Sequence, residues 1–134
     1  MNDLSYTAKV FKTVWVSDVH LGTKGSRAKE FLEFLKTIEC EKIFLVGDIV
    51  DGWQLSKRWY WPQTHNDVVQ KILEKAKRGT EIIFIPGNHD EVARDFIGLT
   101  MGGIKVKDDD IHHTADGKKF WVVHGDLFDN VIQH

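Results

Sequence analysis

The chain has 134 residues, a formal net charge of −2, 42% hydrophobic and 28% charged residues, which is ordinary composition for one globular domain and excludes wholesale disorder. Eighteen Lys+Arg against 20 Asp+Glu leave no basic footprint for nucleic acid, so no nucleic-acid partner is expected. The one cysteine, Cys40, excludes an internal disulfide framework. No apolar run approaches the roughly 20 residues that span a bilayer, and residues 1–12 lack the apolar core of a signal peptide; the expected location is cytoplasmic.

Residues 10–16, β-branched and aromatic, predict a first strand ending at Ser17. Ser26 is placed to cap a helix reaching about Glu39, with Phe31, Leu32, Leu35 and Ile38 on one face. Residues 42–46 are a short apolar run closed by Gly47, as in a strand buried on both faces. A second helix is predicted from Asn66 or Asp67 to Arg78, with Gly79 as its left-handed cap. Residues 81–85 are a further buried-type strand, stopped by Pro86-Gly87. A short helix is predicted over residues 90–97 and a turn at Met101-Gly102-Gly103. Asp116-Gly117 divides residues 111–115 from 119–123, a type I′ hairpin signal. The predicted class is α/β: a βαβαβ start, a mainly parallel sheet and a late hairpin.

In such sheets ligands gather beyond the carboxyl ends of the strands. Four predicted strands empty there into Asp18-Val19-His20, Gly47-Asp48-Ile49-Val50-Asp51, Gly87-Asn88-His89-Asp90 and His124-Gly125-Asp126. Singly, each cluster is common turn chemistry. Four on one edge point to a shared site for divalent ions, built from carboxylate, imidazole and amide donors without thiolate. The i, i+2 spacing lets Asp18 and His20 point the same way from an extended segment.

These motifs, in this order, resemble those of the calcineurin-like metallophosphoesterases. The resemblance implies a two-sheet sandwich flanked by helices, with two metal ions at one edge. It implies that Asp18 and His20 bind the first ion, that Asp48 bridges both, and that Asn88 and His124 bind the second. His89 would contact the scissile phosphate and help the leaving group, with Asp90 orienting it; Asp51 and Asp126 would hold the loops. Two such ions clamp a phosphoryl group and activate a bridging water for in-line attack. Manganese is the expected metal, and Fe²⁺, Co²⁺ or Zn²⁺ suit the same donors.

Ser17-Asp18-Val19-His20-Leu21-Gly22, residues 47–53 and His124-Gly125-Asp126 are further similar to the UDP-2,3-diacylglucosamine pyrophosphohydrolases of lipid A synthesis. That similarity implies hydrolysis of an acylated UDP-sugar at its α-phosphate. His89 departs from the arginine of typical members, and a general or cyclic-nucleotide phosphodiesterase is the alternative within enzymes. The family's final Gly-His-x-His motif is not in the sequence. The chain is therefore expected to be a truncated, N-terminal portion (1–134) of a single domain. The alternative to truncation is that water or a partner chain completes each metal site, and a metal-binding or interaction module without turnover is the alternative outside enzymes.

Residues 52–62 carry three Trp, one Tyr and two cations. They suit either a grip on an acylated nucleotide, with peripheral membrane contact, or a cover for the sheet. His112 and His113 would face opposite ways on a strand and so not chelate one ion. His65 is expected near a helix start with no role assigned, and Cys40 is expected to be structural at a helix end.

Overall fold

The computed structural model describes residues 9–87, 90–114 and 116–123. The elements are β1 (Lys9–Val16), α1 (Ala28–Thr37), β2 (Ile38–Val46), α2 (Gly52–Lys57), α3 (Gln63–Lys77) and β3 (Glu81–Ile85). A 3₁₀ turn (Glu91–Phe96), β4 (Thr100–Met101), β5 (Ile104–Val106), β6 (Asp110–His113) and β7 (Lys119–Val122) follow. The first sheet has the order β1-β2-β3-β5-β4, parallel except for β4; β6 and β7 form a second, antiparallel sheet. No described helix is long and apolar enough to cross a membrane.

Strand β2 lies between β1 and β3, which explains its unbroken apolar run: Ile43, Phe44 and Leu45 are all buried, on alternate faces. On one face Val14, Ile43, Leu45 and Ile82 pack under Phe31, Leu32 and Leu35 of α1 and Val68 and Ile72 of α3. On the other, Phe44, Ile83 and Ile85 meet Val122 of the hairpin. Trp15 stacks on Phe44 at 5.7 Å, and the buried His112 ring stands edge-on to both. The expected helix-flanked pair of stacked sheets is thus present, with the carboxyl ends of β1, β2 and β3 at one edge.

Several boundaries differ from the sequence expectation. Ser26 does not cap α1; its hydroxyl donates to the Val19 carbonyl at 2.7 Å and ties the first loop to the helix. The helix stops at Thr37 because Ile38, Glu39 and Cys40 pair with Lys9, Val10 and Phe11, so Cys40 lies in a strand. Burial pushes its thiol pKa up, which suits a structural cysteine. Helix α3 starts earlier, at Gln63, because the Pro62 carbonyl accepts from His65 N–H at 2.9 Å while proline needs no partner for a missing N–H. At its far end Gly79 (φ 109°) forms the expected left-handed cap, with Gly79 N–H on Ala76 and Thr80 N–H on Lys75.

Helix α2 was not expected, although Asp51-x-x-Gln54 is a capping signature: the Asp51 carboxylate accepts from Gln54 N–H at 3.0 Å. The segment over residues 91–96 is 3₁₀ rather than α. Met101-Gly102-Gly103 turns as expected, between the short β4 and β5; a Cβ on Gly102 would stand 2.7 Å from Leu73. The hairpin is not type I′. Thr114 N–H bonds Lys118 at 2.9 Å, and only Gly117 of the described turn residues has positive φ, the pattern of a three-residue loop. His112 and His113 do face opposite ways, one buried and one exposed.

Candidate metal centre

The loop after β1 and the loop after β2 run side by side. Asp18 N–H donates to the Gly47 carbonyl (3.2 Å), His20 N–H to Asp48 (2.9 Å) and Leu21 N–H to Ile49 (2.8 Å); Asp51 N–H returns to Leu21 (2.7 Å). Buried Val19, Leu21 and Ile49 anchor this pair of loops in the core, and the polar residues beside them range from exposed Asp18 through half-buried His20 to buried Asp48 and Asp51.

Asp18, His20 and Asp48 each offer a donor atom within 4.8 Å of the others. Two donors on one ion stand at most about 4.2 Å apart at bond lengths near 2.1 Å, so a small side-chain closure seats a divalent ion. All three residues occupy left-handed backbone, with φ of 56°, 52° and 54°. Such conformations cost about 1–3 kcal/mol each in non-glycine residues and persist where the surrounding structure enforces them. The expected extended segment is therefore absent. Asp18 and His20 converge through left-handed turns, which the inter-loop hydrogen bonds hold in place.

Asp51 is buried and bonds His20 Nδ1 at 3.1 Å through its second oxygen, while the first caps α2. His20 Nε2 is left facing Asp18 Oδ1 at 3.8 Å. A carboxylate behind a histidine fixes its tautomer and makes the outer nitrogen the better ligand. The donor set and this support fit a divalent metal ion.

Asp90 is buried, and its carboxylate accepts from the backbone N–H groups of Ile49 (2.8 Å), Asp48 (3.2 Å), Val50 (3.4 Å) and Gly87. Four acceptors' worth of lone pairs is all a carboxylate offers. Asp90 thus pins the loop that carries Asp48 to the end of β3. Its expected partner His89 lies outside the described residues, as do Asn88, His124 and Asp126.

His65, to which the sequence assigned no role, is buried at the start of α3. Its Nδ1 accepts the N–H of Gly22 at 3.0 Å, and the rings of Tyr60 and Trp61 meet it edge-on. No sequence signal for this existed beyond a histidine on the buried face of the helix. Burial lowers its pKa below the ordinary value of 6.5. The unfolded chain therefore takes up a proton first as pH falls. Stability should decline below about pH 6.5 and level off once the lowered pKa is passed. Urea unfolding between pH 7.5 and 5 should show a shallower decline in His65→Asn; equal slopes would remove His65 from the acid sensitivity.

A sequence profile described as calcineurin-like phosphoesterase matches residues 11–133. Similar proteins include the UDP-2,3-diacylglucosamine hydrolase of Blochmanniella pennsylvanica (strain BPEN), 26% identical over 117 residues, covering 85% of this chain and 46% of that one. The protein of the same name from Azotobacter vinelandii (strain DJ / ATCC BAA-1303) is 27% identical over 118 residues, covering 85% and 47%. The chain spans about half the length of these curated relatives. The crystal structure of the nuclease MPE of Pseudomonas putida aligns with a TM-score of 0.42 at 22% identity, over 71% of this chain and 46% of that one. Because the profile runs from within β1 past the end of β7, the chain belongs to the calcineurin-like phosphoesterase family.

Proposed function

We propose that this chain carries the metal-binding edge of a phosphoester hydrolase acting on a nucleotide-linked pyrophosphate, UDP-2,3-diacylglucosamine or a close analogue. The observation that supports it most is the convergence of Asp18, His20 and Asp48 on left-handed backbone, with Asp51 behind His20. In this reading Asp18 and His20 hold the first of two ions, Asp48 is shared, and Asn88 and His124 serve the second. Manganese is the preferred metal, with iron, cobalt or zinc as substitutes. When bound, such ions neutralise phosphoryl charge and acidify water.

The protein's own groups have separate tasks. His89 contacts the phosphoryl group and donates a proton to the leaving oxygen. Asp51 keeps His20 turned outward, and Asp90 holds the Asp48 loop at a fixed height against β3. The exposed Trp53 and Trp59, with Lys57 and Arg58, sit directly after the Asp48 loop and supply an apolar and cationic surface for the acylated sugar. The same surface would touch a membrane peripherally from the cytoplasm.

Hydrolysis of UDP-2,3-diacylglucosamine and of bis(p-nitrophenyl) phosphate by the Mn²⁺-loaded chain tests the reading. UMP release should dominate, and Asp48→Asn should lower it by more than the roughly 100-fold that losing an outer-shell partner costs. A large preference for the aryl diester would replace the lipid substrate by a general phosphodiester. Bound Mn²⁺ without turnover of either would make the chain a metal-binding module.

A further inference from the structure

We propose that His65 is a positioning residue for the metal centre: its Nδ1 anchors the Gly22 amide and so fixes the turn on which His20 stands. The inference rests on the reading of Asp18, His20 and Asp48 as metal ligands.

The loop over residues 17–22 is held along its length by backbone bonds to the neighbouring loop, the last of which are Leu21 N–H to Ile49 and Asp51 N–H to Leu21. At Gly22 the chain turns away with φ of 99°, and its amide donates to the His65 imidazole in a buried bond. Space there is closed. A Cβ on Gly22 would fall 2.7–2.9 Å from the side-chain carbons of Leu55 in α2. The glycine is therefore gripped from two sides, by an acceptor on α3 and an apolar side chain on α2.

His65 is itself held. Its ring lies 5.8 Å from Tyr60 and 5.6 Å from Trp61, at 87° and 81°, so packing fixes its rotamer. Accepting from an amide requires an unprotonated Nδ1, which puts the ring proton on Nε2. An unpaired buried amide at Gly22 would be costly, so removing the acceptor lets the turn move towards another partner. His20 lies only two residues before that turn. A shift of the turn displaces its imidazole from both Asp51 and Asp18, which is how outer partners of metal ligands act on affinity.

The experiment compares His65→Leu, which keeps an apolar side chain between the two aromatic rings, with His65→Asn, which keeps an acceptor near the Nδ1 position. Co²⁺ affinity is read by titration, and protection of the Gly22 amide by hydrogen exchange without metal, on variants whose cooperative unfolding is first verified. His65→Leu should lose Gly22 protection and bind Co²⁺ about 10–100-fold more weakly. His65→Asn should restore both to within about threefold of wild type, the factor by which single-interaction effects vary with context. Unchanged Gly22 protection or unchanged Co²⁺ affinity in His65→Leu overturns the proposal, as does equal impairment of both variants, which would reflect packing alone. If wild type binds no Co²⁺, the positioning proposal falls with the metal reading, and protection lost only in His65→Leu would mark the bond as purely structural. Wild-type binding with a flat response to His65→Leu rejects this proposal and leaves the metal reading standing.

Discussion

Asp90→Ala should destabilise the fold by about 3–5 kcal/mol in urea unfolding, because it takes the acceptor from several buried amides at once. The carboxylate is buried and takes the amides of Asp48, Ile49, Val50 and Gly87. Each buried amide that loses its acceptor costs about 1–3 kcal/mol. Asp90→Asn sharpens the test. It preserves shape, yet one of its two terminal atoms becomes an NH₂ group facing amide donors, whichever way the side chain flips. The asparagine variant should therefore lose about 2–4 kcal/mol despite its near-identical volume. Both variants should also weaken metal binding, because the left-handed turn at Asp48 is held by the same bonds. A loss under about 1 kcal/mol in either variant would mean that the loop is held by its backbone pairing with residues 18–21 alone.

The sequence made the strand ends legible because parallel strands buried on both faces write themselves as apolar runs. Residues 42–46 and 81–85 end where the polar clusters begin, and the observed β2 and β3 end at Val46 and Ile85. Asp18, His20 and Asp48 could be assigned to one edge on that basis. How they converge was not legible. Left-handed φ at a carboxylate or histidine has no local signature, since it results from bonds to residues some 30 positions away in the neighbouring loop. The helix ends failed for a related reason. Ile38–Cys40 continue a helical pattern locally, but pairing with β1 supplies backbone partners along the strand and wins.

Side-chain-to-backbone bonds across long separations were likewise invisible. Asp90 stands beside a candidate catalytic histidine in sequence, which suggests partnership with it. The fold also aims the carboxylate at amides about 40 residues earlier, a role the sequence does not announce. His65 shows the converse: a polar residue on the buried face of α3 looks like a misplaced core position until Gly22 is seen across from it. Asp51 was half legible, since Asp-x-x-Gln announces a cap for one of its oxygens but not the His20 contact of the other.

That second contact supplies the prediction with the largest effect on the site. If His20 is a ligand as proposed, His20→Ala should weaken Co²⁺ binding by more than about 100-fold, beyond the range for an outer partner. Asp51→Asn should weaken it by about 10–100-fold. Asparagine caps a helix about as well as aspartate, so α2 is retained and the loss reports on His20. If Asp51 acts through His20, the double variant should bind no more weakly than His20→Ala alone, because the carboxylate then has nothing left to orient. Independent action predicts the opposite: the two losses multiply. Isothermal titration of the four proteins with Co²⁺ separates the cases. Multiplicative losses would make Asp51 a ligand in its own right, and the outward aim of His20 Nε2 would then need another cause than the 3.1 Å bond behind it.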